Sequence, residues 1–359
     1  MLAQLRTLLT LDLDAIDVRK GVMGVVAIGI VVIFVAIFGT VGMTAGLAAL
    51  FVIMADQPGS LRDRSLAIVL MTVLGALIAL VAVWAGTSHV WVATLLTFVV
   101  TGVATLVSGF GAGAAVRGLL LSIWAIVALT FGGDTESAVQ LAVAFALGGV
   151  IAAGIIWLRD RALPEPSAEV EVKAATRTLG DLARSPLGWF SLLRASAAAL
   201  AMALGAVLFP EHAIWAALTV MLVMKPKAGE AVAAGVLRTL GTLAGVVAAE
   251  VVLDISNGQD AVIIIGFLIA AFGMAAFKKV NYAIFVLFLT ALLVLSQALI
   301  GESADTAATD RLLATIIGAV IAFIGIGVGR WALARSTEDG GGAPDPTTDE
   351  LGDMDTTPG

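Results

Sequence analysis

Cysteine is absent from all 359 residues. That excludes disulfides, thiolate catalysis and cysteine-held metals together. Histidine is nearly absent too: His89 and His212 are the only two, too few for a multi-histidine metal centre. Charge is also scarce, with 13% of residues charged against 60% apolar. A soluble domain of this composition would present too much apolar surface to water. Paired carboxylates, a nucleophile with its base, and a metal-ligand set are all missing, so no enzyme, cofactor or metal is expected. Nothing in the pattern points to nucleic acid.

What the chain has in abundance is long apolar runs, and lipid is the solvent that accepts them. A helical span needs about 20 mostly apolar residues, and the length allows about a dozen. The runs fall at 20–38, 40–56, 65–86, 89–109, 113–131 and 138–158. A second set falls at 191–209, 213–225, 232–253, 260–277, 282–300 and 310–333. The stretch before the first run carries Asp12, Asp14 and Asp17 and no cleavable pattern, so the first run is expected as a retained span.

The positions of the positive charges orient these spans. Arg6, Arg19 and Lys20 precede the first; Arg62 and Arg64 join the second to the third; Arg117 starts the fifth. Arg159, Arg161, Lys173, Arg177, Arg184 and Arg194 lie between the sets. Lys225, Lys227 and Arg238, then Lys278 and Lys279, occupy the next even-numbered connections, and Arg330 and Arg335 end the last span. Of 20 basic residues, Arg311 alone falls on the other side. Positive loops stay inside, so both termini are expected in the cytoplasm.

The two sets resemble each other. Gln57-Pro58-Gly59 follows the second span, and Lys225-Pro226 follows the eighth, 168 residues later. Val73-Leu74-Gly75 matches Thr239-Leu240-Gly241, and Gly148, Val150, Ile151 and Ala152 match Gly318, Val320, Ile321 and Ala322 at an offset of 170. An even number of spans per half makes this a parallel repeat about an axis along the membrane normal. The expected fold is all-α: about 12 spans in a multi-pass protein of the inner or plasma membrane. Its expected parts are an interfacial segment (1–18), a first six-helix repeat (19–158), a cytoplasmic linker (159–190), a second six-helix repeat (191–335) and a disordered acidic tail (336–359). The tail holds seven acids and no base, which equals the whole net charge of −7.

Polar residues inside spans carry the functional information. Arg311 opens the last span against the inside rule, beside Asp310; it reads as a guanidinium holding an anion, or as a local pair with Asp310 or a headgroup contact. Arg238 opens the ninth span, as an inner anchor or the inner end of a substrate path. Gly241 and Gly245, four apart, admit a close helix neighbour. Glu250, 12 residues beyond Arg238, is the carboxylate well inside a span, suited to proton coupling unless the helix ends early. Thr219 lies deep in an unusually short run; His212 and Trp215 before it fit an outer aromatic belt. Tyr282 and Thr290 either bond neighbouring backbone or face substrate.

On these residues the chain resembles the fusaric acid resistance (FUSC) proteins, also called aromatic acid exporters. The resemblance runs from Arg194 through His212-x-x-Trp215-x-x-x-Thr219, Pro226 and Gly229, and Arg238-x-x-Gly241-Thr242-x-x-Gly245. It continues with Asn281-Tyr282-Ala283, Phe288-Leu289-Thr290, and Arg311 with Thr315-Ile316-Ile317-Gly318-Ala319. The first half matches more loosely, through Asp56-Gln57-Pro58-Gly59 with Arg62 and Arg64. The resemblance implies efflux of aromatic or other organic carboxylates driven by a proton gradient. The chain also looks like the plant aluminium-activated malate channels, whose six-span subunits pair around an anion pore; on that analogy the pathway lies between the two repeats. Larger family members carry sizeable cytoplasmic domains after their spans, whereas here only the 159–190 linker and the tail stand outside the membrane. Expected partners are a small organic anion and the lipid bilayer, with a homo-oligomer left open. A passive anion channel and a scaffold for cell-envelope proteins are the alternatives.

Overall fold

The computed structural model describes residues 13–57, 59–162, 178–225, 228–277, 280–299 and 304–338. Most of the interfacial segment, the middle of the linker and nearly all of the acidic tail lie outside these residues. Among those described there is no strand. That is the outcome lipid imposes, since an α-helix satisfies its own backbone groups where no water is available.

The helices are α1 (Val18–Phe38), α2 (Thr40–Ala55), α3 (Leu61–Thr87), α4 (Val90–Val107), α5 (Ala112–Ala128), α6 (Thr135–Ala162), α7 (Leu179–Arg184), α8 (Pro186–Leu208), α9 (Ile214–Val223), α10 (Ala228–Ser256), α11 (Asp260–Ala276), α12 (Tyr282–Leu299) and α13 (Ala304–Glu338). Eight segments are long and apolar enough to cross a membrane, in α3, α4, α5, α6, α8, α10, α12 and α13, while Thr44–Ala55, Ile214–Val223 and Asp260–Ala276 are shorter apolar helices. The protein is thus a multi-pass helical membrane protein.

Several helix ends differ from the hydropathy boundaries. α8 begins at Pro186 rather than 191, α10 at Ala228 rather than 232, and α13 at Ala304 rather than 310. The first turns of α10 and α13 hold Glu230 and Asp305; polar residues continue a helix without adding to an apolar run. Arg238 and Arg311 therefore lie ten and seven residues inside their helices rather than at their openings. α13 also runs through Ser336 to Glu338, the start of the expected tail, and the linker ends in the short helix α7, closed by a Thr178–Asp181 capping box. Hydrogen bonds from Thr178 hold the Asp181 carboxyl below its ordinary range.

In the first half α2 and α3 both pack on α6, and α5 fills the angle between α3 and α4. In the second, α9 packs on α13, α10 on α12 and α13, and α11 on α12. The halves meet reciprocally: α4 lies along α8, and α11 lies along α1. Ser191 of α8 donates to the Gly102 carbonyl of α4 at 2.7 Å across that seam. At the α2–α3 junction, Asp56 is closed off from water and held by Arg64 at 2.8 Å and Arg159 at 2.9 Å, with Asp160 on Arg64 at 2.9 Å. This network fastens the α2–α3 turn to the end of α6.

Helix contacts that position the second half are made at glycines. A Cβ on Gly318 of α13 would stand 2.5 Å from the Ala216 carbonyl oxygen and 2.7 Å from Thr219 Cβ. Gly241 and Gly245 of α10 admit the Ala283 and Leu287 carbonyls of α12 in the same way, each at 2.5 Å. Gly318→Val forces α13 off α9 and is expected to cost about 1–3 kcal/mol, read as a lower unfolding midpoint in detergent. Gly154→Ala, with nothing within 4 Å of the new methyl, is expected to leave the midpoint unchanged or raise it slightly.

Candidate anion cage

α9 has 10 residues, about 15 Å of helix, half the hydrocarbon thickness. It follows one 3-10 turn at Pro210–His212 and ends at Met224 in extended backbone. It is enclosed by α8, α10 and α13 and touches α5, so nearly all its side chains are buried. One face carries Trp215 and, a turn on, Thr219.

Two guanidiniums converge on that face. Arg238, 5% exposed, comes from α10 and donates through Nε to Thr219 Oγ1 at 3.3 Å. The same hydroxyl donates to the Trp215 carbonyl at 2.9 Å, which leaves its lone pairs for the arginine. Arg311, 4% exposed, comes from α13 and lies over the Trp215 ring, 3.9 Å from its centroid. That is a cation–π contact out of water. Arg311 and Arg238 repel each other electrostatically. Arg311 Nη1 is buried and has no hydrogen-bond partner among the described residues. The hydroxyl-bearing residues Thr242, Thr290 and Thr315 are buried on the same three-helix side, on α10, α12 and α13.

Before the N-terminus of α9, His212 Nδ1 pairs with Asp310 Oδ2 at 2.9 Å. Asp310 thus bonds the turn before α9, while Arg311 turns inward to Trp215; the local Asp310–Arg311 pair is not formed among the contacts seen. On the opposite side of α9, Arg194 donates to the Met221 carbonyl near the end of that helix, and to Thr105 of α4 at 3.4 Å. A cation there complements the negative end of the helix.

Of the residues singled out in the sequence, Arg311, Arg238 and Thr219 stand together, with Trp215 as the shared wall. Thr290 is buried where Gly245 lets α12 close on α10. Tyr282 stacks on Phe285 at 6.2 Å, half-buried at the start of α12. Glu250 is half-buried and about 18 Å further along α10 than Arg238, turned about 120° around the helix. The role of Trp215 as a stacking wall, and the His212–Asp310 pair, escape a sequence reading: 96 residues separate Trp215 from Arg311, and 98 separate the pair. Replacing His212 and Asp310 by alanine, singly and together, is expected to give non-additive losses with a coupling of about 0.5–3 kcal/mol. Additive losses in equilibrium unfolding would show the pair to be incidental.

Residues 197–325 match the family model for fusaric acid resistance protein-like proteins. No curated protein and no solved structure matches the chain. The matched stretch contains α9 to α12 whole and all four residues of the cage, Trp215, Thr219, Arg238 and Arg311. Over this stretch, which is well under half of its length, the chain is similar to fusaric acid resistance protein-like proteins.

Proposed function

We propose that the protein is a membrane transporter that exports organic carboxylate anions, and that the Arg238–Arg311 cage is where the anion is held. One observation carries the reading: two buried guanidiniums lie on one face of α9, Arg238 on Thr219 and Arg311 on Trp215, and Arg311 Nη1 has no hydrogen-bond partner among the described residues. Burying one unpaired charge costs several kcal/mol, and two of like sign raise that further. A carboxylate arriving between them accepts charge-assisted bonds from both and cancels their repulsion. Trp215 and the neighbouring methyl-bearing threonines favour an anion with an aromatic or apolar body.

The wider architecture follows the same proposal: twelve spans, counting α1 and the three short helices, in two six-helix repeats with both termini in the cytoplasm. The reciprocal packing of α4 on α8 and α11 on α1 supports the duplication, since a two-fold relation makes each contact occur twice. The path passes the inside of the second repeat at the cage, rather than following only the seam between the repeats. Export is coupled to protons through Glu250, whose half-buried place in α10 suits a carboxyl that gains and loses a proton.

Proteoliposomes loaded with benzoate test both parts. Arg311→Gln and Arg238→Gln are each expected to weaken apparent affinity about ten- to a hundredfold, as loss of a charged hydrogen bond does. Glu250→Gln is expected to keep benzoate flux but lose its response to a pH gradient. Flux indifferent to both arginines would sink the cage. Steady benzoate current in a planar bilayer, without coupling, would make the protein a channel.

A further inference from the structure

The two halves can be laid on each other by their buried faces. α3 and α10 share a register in which Ala67, Met71, Gly75, Ala79 and Val83 fall on Ala233, Leu237, Gly241, Gly245 and Ala249, all buried. α5 and α12 follow the same offset, with Leu120, Ala125, Ile126, Ala128 and Leu129 on Val286, Ala291, Leu292, Val294 and Leu295. For α6 and α13 the marker is a helix crossing. Gly148 admits the Ala45 carbonyl and the Ala48 side chain, as Gly318 admits the Ala216 carbonyl and the Thr219 side chain. Three independent helix pairs thus give one correspondence.

Carried across it, the cage disappears. Arg311 falls on Leu141, Arg238 on Thr72, Thr290 on Trp124, Thr315 on Phe145, and Thr219 on Ala48. The first-half side chains fill the space themselves. Trp124 and Phe145 are fully buried with ring centroids 4.8 Å apart, and Phe51 closes on Trp124 at 6.4 Å. The Trp124 indole N–H donates to the Gly75 carbonyl at 2.9 Å, and Phe145 lies across Gly75 where a side chain would collide. Thr72 spends its hydroxyl on the Ile68 carbonyl at 2.8 Å. Two large rings with the indole donor satisfied make a packed apolar core, whereas the corresponding place in the second half keeps two cations and an unmet donor.

From this we infer that the chain holds one anion site, in the second half, and that the first half is a fused partner whose corresponding place is permanently plugged by Trp124 and Phe145. The inference rests on the cage reading above and adds how many sites there are and which half carries them. The plugged half supplies a rigid counterpart for α8 and α11 to pack on, while anion occupancy acts on α9, α10 and α13 alone.

Calorimetric titration of the full chain in lipid nanodiscs with benzoate counts the sites. One benzoate per chain is expected, its affinity weakened about ten- to a hundredfold in Arg311→Gln. Loss of binding is expected in Thr315→Phe, which places the first half's plugging ring in the cage and keeps the test open should the charge variant fold poorly. Phe145→Leu is expected to leave the wild-type affinity within about threefold, as a change remote from the ligand does. Two benzoates per chain, or one bound with wild-type affinity in both Arg311→Gln and Thr315→Phe, would overturn the single-site inference. No binding to the wild-type chain would overturn the cage itself.

Discussion

Desolvated positive charge is the constraint around which the second half is organised. A guanidinium taken out of water loses several kcal/mol of hydration, and the fold recovers part of it for Arg311 by the face of Trp215 and for Arg238 by the hydroxyl of Thr219. Neither compensation carries negative charge. The repulsion between the two arginines is therefore left standing, and an anion is the species that removes it. On the proposed function, structure and transport share one origin: a site strained without its ligand would bind that ligand by relief of the strain.

The short helix α9 makes this arrangement possible. Ten residues of helix cover about half of the hydrocarbon thickness, so the C-terminal end of α9 needs another partner, and Arg194 meets the Met221 carbonyl there. Glycines do the rest. With Gly318 beneath Ala216 and Thr219, and Gly241 and Gly245 beneath the α12 backbone, the helices approach closely enough for arginines rooted on α10 and α13 to reach the same side of α9. Small residues at such crossings are how membrane helices pack, since lipid provides no hydrophobic drive between them.

On the proposed duplication, one scaffold accepts two solutions. Buried positions of α3 and α10, and of α5 and α12, coincide at several places, yet one pair encloses rings and the other encloses cations. An apolar plug is inexpensive within a helical bundle, and a pair of unmatched guanidiniums is not; the retention of the second beside the first is the structural argument that the arginines serve a ligand rather than the fold.

The helical membrane class was legible because lipid demands long apolar runs, and the family resemblance across 194–325 was legible because its motifs are local. Arg311 stood out by lying on the wrong side for a positive charge, and Arg238 and Thr219 by sitting in or near apolar runs. Hydropathy misplaced the starts of α8 and α10, since polar first turns are helical without being apolar, and so it set Arg238 at a span end when it lies nearly three turns inside its helix; the apolar span of α13 begins at Thr309, beside the expected 310, although the helix itself starts at Ala304. Tyr282 and Glu250 stand apart from the cage, Tyr282 against Phe285 at the start of α12 and Glu250 about 18 Å further along α10 than Arg238. Which side chains meet is decided by contacts between residues nearly a hundred positions apart, Trp215 with Arg311 and His212 with Asp310. A sequence states what each helix offers to lipid; close packing of several helices alone decides what they offer to one another.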